Sequence, residues 1–421
     1  MPVRQTLGLS PTGDADEERS IDRAARAMRI GFASPLLVGE LLPWLDVKSG
    51  TALPTGLGGN SATTLLTGLL EAGHSVAAVT LDQSLESPVT LRGERLTLRI
   101  GPYRDRHRAR DYFRRERAFV RSSMLAERPD VIGAHWSYEF ALGSLEVHIP
   151  TVVSLNDWAP TILRLMGWRV SPYYTVRLAM HTETLLRAGA LTANSPTTAH
   201  RAARWVRRPV PVVPNAFDDC LFARVSRRLN LDRPRVLAAN NGFNRLKNTT
   251  TLLEAFATAR RDLPQARLSL AGVDHGPGGR AAQWARGRGL AEGVEFLGPI
   301  PHDELLRLMG VVQLFVHTSR EESFGNVLVE AMAQGTPVVG GRASGAVPWV
   351  LDDGRAGLLT DIERPLLVAD AIVSLLSNPK RWEGYSSNGK RISKSRFSVS
   401  RVADQYAEVL ERHLAARQPE S

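Results

Sequence analysis

The chain has 421 residues, 43% hydrophobic and 23% charged, which is enough apolar content for substantial cores at a length that suits two domains better than one. No run approaches the roughly 18 uninterrupted apolar residues of a membrane-spanning helix and the opening residues are too polar for a signal peptide, so a cytoplasmic location is expected. The single cysteine, Cys220, excludes an internal disulfide and a cysteine-based metal cluster. The net charge of +10 suits anionic partners, but only five of the 53 basic residues are Lys and no nucleic-acid-binding motif lies beneath the charge, so no nucleic-acid partner is expected.

Residues 1–27 carry an acidic run from Asp14 to Glu18 and no sustained apolar period, which predicts a mobile tail. Apolar runs then predict a strand over Ile30–Ala33, a helix over Gly59–Ala72, a strand over Val76–Thr80, and strands at Val131–Ala134, Thr151–Leu155, Leu191–Ala193 and Val210–Val213, with helical spacing between them. Such alternation implies parallel βαβ units with right-handed crossovers. A second alternation predicts strands over Val236–Ala239, Leu268–Ala271, Val294–Leu297, Leu314–His317, Pro337–Gly340 and Gly357–Leu359. The expectation is an α/β protein of two doubly wound parallel-sheet domains, 28–212 and 213–385, joined at Val213-Pro214-Asn215. A closing segment, 386–421, belongs to a polar stretch from Trp382 to Ser400 and an amphipathic helix from Val402 to about Leu414.

The most informative segment runs Ser319-Arg320-Glu321-Glu322-Ser323-Phe324-Gly325-Asn326-Val327-Leu328-Val329-Glu330-Ala331-Met332-Ala333-Gln334-Gly335-Thr336-Pro337. It follows a strand, turns at Gly325, continues as a helix and stops at Gly335, where a missing Cβ suits a left-handed cap. The helix N-terminus then lies at the carboxyl end of the sheet, where unpaired N–H groups and the positive dipole end make an anion site. Glu330 has apolar neighbours at 327, 328, 329, 331, 332 and 333, so its helix is buried. Its carboxylate sits either on a narrow wet stripe or against buried donors such as the two hydroxyls of a ribose, and the second reading is favoured. Glu322 sits in the loop ahead of the helix, where a carboxylate can face whatever occupies the anion site, the plainer reading being a solvated loop Glu.

This segment resembles the signature of glycosyltransferase family 4, retaining enzymes of the GT-B fold, in which two Glu flank seven residues ahead of an Ala-Met-Ala-x-Gly-x-Pro-Val-Val run. Glu322, Glu330 and Ala331 to Val339 fit that pattern. The resemblance implies two Rossmann-like domains facing across a cleft, with the last helix crossing back onto the first. It also implies that Glu330 holds the donor ribose, Glu322 the donor sugar hydroxyls, and the backbone of Phe324, Gly325, Asn326 and Val327 the sugar and pyrophosphate.

A second candidate site is Asn240-Asn241-Gly242-Phe243-Asn244-Arg245-Leu246-Lys247-Asn248, just ahead of a helix predicted over Thr249–Arg260. Two cations beside a flexible glycine at a helix start suit a leaving diphosphate, the alternative being that both solvate a loop. The family carries Arg directly after the glycine and Lys farther on; Phe243 follows Gly242 here, so Lys247 matches more closely than Arg245. In the first half, Thr55-Gly56-Leu57-Gly58-Gly59-Asn60 resembles the family's glycine pair near the donor phosphates and acceptor. A dinucleotide fingerprint, with Asp82 as its ribose acid, is the competing reading. Ser61 occupies its third glycine position and more than 20 residues separate the first strand from the loop, whereas the fingerprint requires adjacency.

His135 follows a strand over Asp130–Ala134, whose carboxyl end would deliver it to the cleft, and the family often has a His there, close to the donor sugar and leaving group; the plainer reading is a structural His. Asn156-Asp157 ends the next strand, where relatives often have His-Asp; Asp157 is a candidate for orienting an acceptor hydroxyl. Asn194-Ser195-Pro196 and Pro214-Asn215 resemble family turns that line the cleft. Arg110, Arg114, Arg117 and Arg121 recur at helical spacing beside Phe113, Val120 and Met124, which suits peripheral contact with an anionic membrane at its inner face, or a lipid-linked acceptor, against the plainer reading of solvated Arg. No metal cluster is expected: the lone Asp-x-Asp, Asp14 and Asp16, lies in the tail, and GT-B enzymes do not rely on that motif.

The implied reaction is retaining transfer of a sugar from a nucleoside-diphosphate sugar to an acceptor hydroxyl, in glycan, polysaccharide or glycolipid biosynthesis, with no cofactor and a sugar or lipid-linked sugar as acceptor. The alternatives are a GT-B epimerase acting on the sugar nucleotide itself and a non-catalytic sugar-nucleotide-binding protein. Both are disfavoured, the first by the long signature and the second by Glu322, Lys247 and His135 occurring together.

Overall fold

The computed structural model describes residues 27–48, 50, 52–166, 172–223 and 232–416. The predicted tail over 1–27 therefore lies, apart from its last residue, outside the described residues, as do Asp14 and Asp16. Strands β1 (Arg29–Ala33), β2 (Ser75–Asp82), β3 (Val89–Arg92), β4 (Leu96–Pro102), β5 (Val131–His135), β6 (Thr151–Leu155) and β7 (Ala190–Ala193) form one sheet in the order β3-β4-β2-β1-β5-β6-β7. All neighbours are parallel except the β3–β4 hairpin. A second sheet, wholly parallel, has the order β10-β9-β8-β11-β12-β13, from β8 (Arg235–Ala239), β9 (Arg267–Ala271), β10 (Val294–Gly298), β11 (Leu314–His317), β12 (Val338–Gly341) and β13 (Leu358–Thr360).

Helices cover both faces of each sheet, as strands buried on both sides require. With the first sheet go α1 (Asn60–Glu71), α2 (Arg114–Glu127), α3 (Glu139–Ser144), α4 (Ala159–Met166), α5 (Pro172–Arg187) and α6 (Pro196–Val206). With the second go α7 (Thr249–Ala259), α8 (Arg280–Arg286), α9 (His302–Met309), α10 (Asn326–Ala333), α11 (Val347–Val350), α12 (Pro365–Leu376) and α13 (Pro379–Phe397), after which α14 (Val399–Ala415) returns to the first sheet. There Val399, Val402, Ala403, Tyr406, Ala407 and Leu410 complete the apolar layer made by Ile30, Phe32, Leu66 and Leu69.

Three expectations need correction. The β3–β4 hairpin was not anticipated, because Val89–Arg92 buries no residue fully and alternates too weakly to stand out as an edge strand. Val210–Val213 is not a strand: Pro209, Pro211 and Pro214 remove the donors a ladder needs, and Val212 makes an isolated bridge to Ala193. The polar stretch from Trp382 to Ser400 is largely α13, started by Pro379 and by Asn378 Oδ1, which accepts from the Arg381 N–H at 3.0 Å. Its composition misleads because it buries a narrow stripe, chiefly Trp382, Ile392 and Phe397.

The strand order reverses between β1 and β5 in the first sheet and between β8 and β11 in the second. Crevices open at such switch points, outside the carboxyl ends of the strands. The return of α14 ties the end of the chain to the first domain, so its contacts bear on the stability of that domain. Leu410→Ala, at a fully buried position, is expected to lower the unfolding free energy of the first domain by about 2–5 kcal/mol, measured by urea titration.

Candidate active site

The two switch points face one another across a cleft of about 400 Å³. From the first domain, Pro35 follows β1, His135 ends β5 and Trp136 follows it, Asn156 follows β6 and Asn194 follows β7. Gly59 sits at the start of α1 with φ 96°, and a Cβ there would lie 2.3 Å from the Pro35 carbonyl oxygen, so the loop closes this tightly only with glycine. His135 is buried between Phe32 and Tyr406, at ring-centroid distances of 4.7 and 5.5 Å. Burial pushes its pKa down to about 3, so the ring is neutral, and its Nε2 has no hydrogen-bond partner.

From the second domain come Asn240 and Asn241 after β8, then Lys247, His317, Glu322 and the turn Ser323–Val327. Lys247 Nζ donates to Glu322 Oε1 at 2.9 Å, and His317 Nε2 lies 3.1 Å from the same oxygen. Burial alone raises the Glu322 carboxyl, but the Lys247 charge and the His317 hydrogen bond outweigh it and hold the group well below the usual carboxylate range. Gly325, at φ 95°, makes the turn into α10, whose first turn receives no side-chain cap. Asn326 and Val327 line the cleft there, and the N–H groups of a helix start favour an anion. Phe324 contributes backbone to the cleft while its ring packs on Phe217, Trp349 and Phe397.

Glu330 is buried, as the apolar run around it requires, at 6% exposure. Its Oε1 lies 2.9 Å from His302 Nε2, and His302 Nδ1 lies 3.2 Å from the Asn60 side-chain nitrogen, which links α10 through α9 to the start of α1. A neutral ring carrying its proton on Nε2 satisfies both contacts. Glu330 Oε2 is buried without a partner.

The structure brings His135, Asn156, Gly59, Lys247, Glu322 and Phe324–Val327 to one cleft, together with Asn194 and Asn215 from the expected turns. It does not bring Arg245, Gly242, Gly58, Asp157 or Glu330 to the wall. Arg245 is exposed, and its carbonyl accepts from the Arg320 guanidinium. The Gly242 N–H is spent on the Val273 carbonyl at 3.1 Å, and Gly58 stands beside Gly59 with no atom near the space a Cβ would take. Asp157 turns into the first domain, where the Tyr138 hydroxyl lies 2.8 and 2.9 Å from its two oxygens and Arg177 lies over the Tyr138 ring at 3.2 Å. Glu330 is screened by His302. Of the arginine stripe, Arg110, Arg114 and Arg121 are exposed and Arg117 is paired with Glu146, while the apolar residues beside them, Phe113, Val120 and Met124, belong to the core. No described helix is long and apolar enough to cross a membrane.

His317 and His302 were not anticipated as site residues. His317 carried the same signal as His135, a polar residue at the carboxyl end of a buried strand. His302 had none, being one polar residue at the start of an amphipathic helix.

Two parallel α/β domains with their switch points opposed define the GT-B architecture. The description "Glycosyltransferase Family 4" matches residues 58–219 and "Glycosyl transferases group 1" matches residues 222–392. The chain belongs to this family of group 1, family 4 glycosyltransferases. It is 34% identical over 182 residues to a D-inositol 3-phosphate glycosyltransferase of Corynebacterium kroppenstedtii, a match covering 42% of this chain and 40% of the relative. Other Corynebacterium relatives are likewise matched over little more than a third of their length. The lipopolysaccharide core biosynthesis glycosyltransferase LpsE of Rhizobium meliloti is 29% identical over 61% of this chain and 75% of its own. Among solved structures, sucrose-phosphate synthase from Thermosynechococcus elongatus superposes with a TM-score of 0.73 at 21% identity, over 92% of this chain and 100% of that one. Anabaena HepE, in complex with UDP and glucose, superposes at 0.62 with 20% identity, over 91% and 100%.

Contact with Glu330 is the first cause of a raised His302 pKa, with Glu40 and Asp303 acting in the same direction and burial opposing. A raised pKa stabilises the fold below the ordinary value, and that gain disappears as pH rises through the folded-state pKa. An NMR titration of His302 should therefore show a midpoint above 6.5 that falls in Glu330→Gln.

Proposed function

We propose that the protein transfers a sugar from a nucleoside-diphosphate sugar to an acceptor hydroxyl with retention of configuration. The observation that carries this reading is the convergence of the Lys247 ammonium, the Glu322 carboxylate and the start of α10 on one wall of the cleft, opposite His135. Breaking the bond from the anomeric carbon to the diphosphate oxygen builds negative charge on the leaving group. The Lys247 ammonium and the N–H groups at Asn326 and Val327 are fixed charges and dipoles aimed at that oxygen's surroundings. Glu322, kept ionised, accepts from the donor sugar hydroxyls, and a ribose hydroxyl would satisfy the buried, unpartnered Oε2 of Glu330 once His302 has moved aside. His135 stays neutral and offers a hydrogen bond to the sugar without adding charge to a departing anion.

The nucleotide-bound HepE neighbour supports a nucleotide in this cleft, and the names of the relatives support a polyol or glycan acceptor in glycan, polysaccharide or glycolipid synthesis. Lys247 and α10 carry the leaving-group charge, so no metal is required. Turnover should survive EDTA; complete loss in chelator, restored by magnesium or manganese, would oppose this charge assignment.

The decisive experiment begins with a thermal-shift screen against the common sugar nucleotides, followed by turnover with the one that binds. Lys247→Ala is expected to lower the rate at saturating donor by roughly two to three orders of magnitude while the protein stays folded. Normal turnover in that variant would remove Lys247 from the mechanism.

A further inference from the structure

Glu322 belongs to the second domain, yet the loop that carries it is gripped from the first. Thr197 and Arg201 lie four residues apart on α6, hence on one face of that helix. Arg201 makes two hydrogen bonds to the carboxylate of Glu321, Nη1 to Oε1 at 2.5 Å and Nη2 to Oε2 at 3.2 Å. Thr197 Oγ1 donates to the Gly345 carbonyl at 3.1 Å. The N–H of the next residue, Ala346, donates to the Glu322 carbonyl at 2.8 Å. Gly345 is closed in on this junction: a Cβ there would sit 2.2 Å from the Glu322 carbonyl oxygen and 2.8 Å from Glu321 Oε1. One face of a first-domain helix thus holds the residue before Glu322 and the segment that hydrogen-bonds Glu322 itself.

The pair is built for alignment. Its side chains are 28% and 14% exposed, so water competes little, and the planar guanidinium meets the carboxylate through two bonds that fix direction as well as distance. Helix α6 begins two residues after Asn194, a cleft residue of the first domain, and Ser195 Oγ caps it by accepting from the Thr198 N–H at 3.4 Å. A shift of the first domain therefore displaces Arg201 and the wall of its own half-site together.

We propose that Arg201 is a positioning residue, which through Glu321 sets the Glu322 carboxylate in place and so makes the donor half of the site competent only while the first domain is docked on it. The proposal rests on the glycosyltransferase reading given above, in which Glu322 contacts the donor sugar. Misplacing a group that orients substrate by about 1 Å costs on the order of 100-fold in rate.

The test compares wild type, Arg201→Gln, Arg201→Lys, Glu321→Gln and the exchange Arg201→Glu/Glu321→Arg. Each is checked for an unchanged melting temperature and assayed with the sugar nucleotide that supports wild-type turnover. Arg201→Gln and Glu321→Gln should lose about 10- to 100-fold in kcat while calorimetric affinity for the nucleoside diphosphate released from that donor stays within about twofold, and Arg201→Lys should fall between them and wild type. The exchanged pair should recover most of the loss, as a direct interaction requires. Full kcat in both Gln variants, or a loss that the exchange leaves unrepaired, overturns the proposal. Amide hydrogen exchange over residues 319–326 gives a readout independent of turnover: it should quicken in Arg201→Gln while β12 is unaffected, and unchanged exchange also overturns the proposal. A wild type that turns over no sugar nucleotide refutes the glycosyltransferase reading instead, and the exchange measurement still judges the bridge.

Discussion

The cleft depends on one carboxylate kept ionised beside an ammonium where little water reaches. Taking either charge out of solvent is costly, and attraction offsets that cost only when geometry is close and the remaining polar atoms are satisfied. Here Lys247 and His317 both address Glu322 Oε1, and neither takes Oε2. The three residues come from the loop after β8, the end of β11 and the loop before α10, so each half of the second-domain switch point is held against the other by this contact. The contact also explains why Gly325 follows so soon: the chain must turn sharply to place α10 beside a carboxylate that its positive end attracts.

Much of this was legible because the relevant signals are local. Strands buried on both faces read as continuous apolar runs, and Glu330, alone among apolar neighbours, marked a buried carboxylate wherever its partner proved to be. The failures have equally definite causes. In a chain whose basic residues are nearly all Arg, an Arg beside a Lys carries little positional information, and Arg245 faces solvent while Lys247 faces the cleft. At Asn156-Asp157 the turn chemistry is the same whichever side chain points inward; Tyr138 and Arg177, distant in sequence, decide that Asp157 turns away. The contacts of His302 with Asn60 and Glu330, and of Arg201 with Glu321, join residues that no short-range pattern connects.

Two kinds of link hold the domains together. Asn60 with His302, Thr197 with the Gly345 carbonyl, and Arg201 with Glu321 are polar and lie at or beside the cleft. The packing of α14 is apolar and lies behind it.

That rear link also bears on how the protein is made. Tyr406 lies beside His135, and its helix packs on α1, β5 and β6, joining the apolar layer that α1 builds over that face. A ribosome delivers those strands first and α14 only after the whole second sheet, so the first domain waits for its last apolar contacts while the second is made.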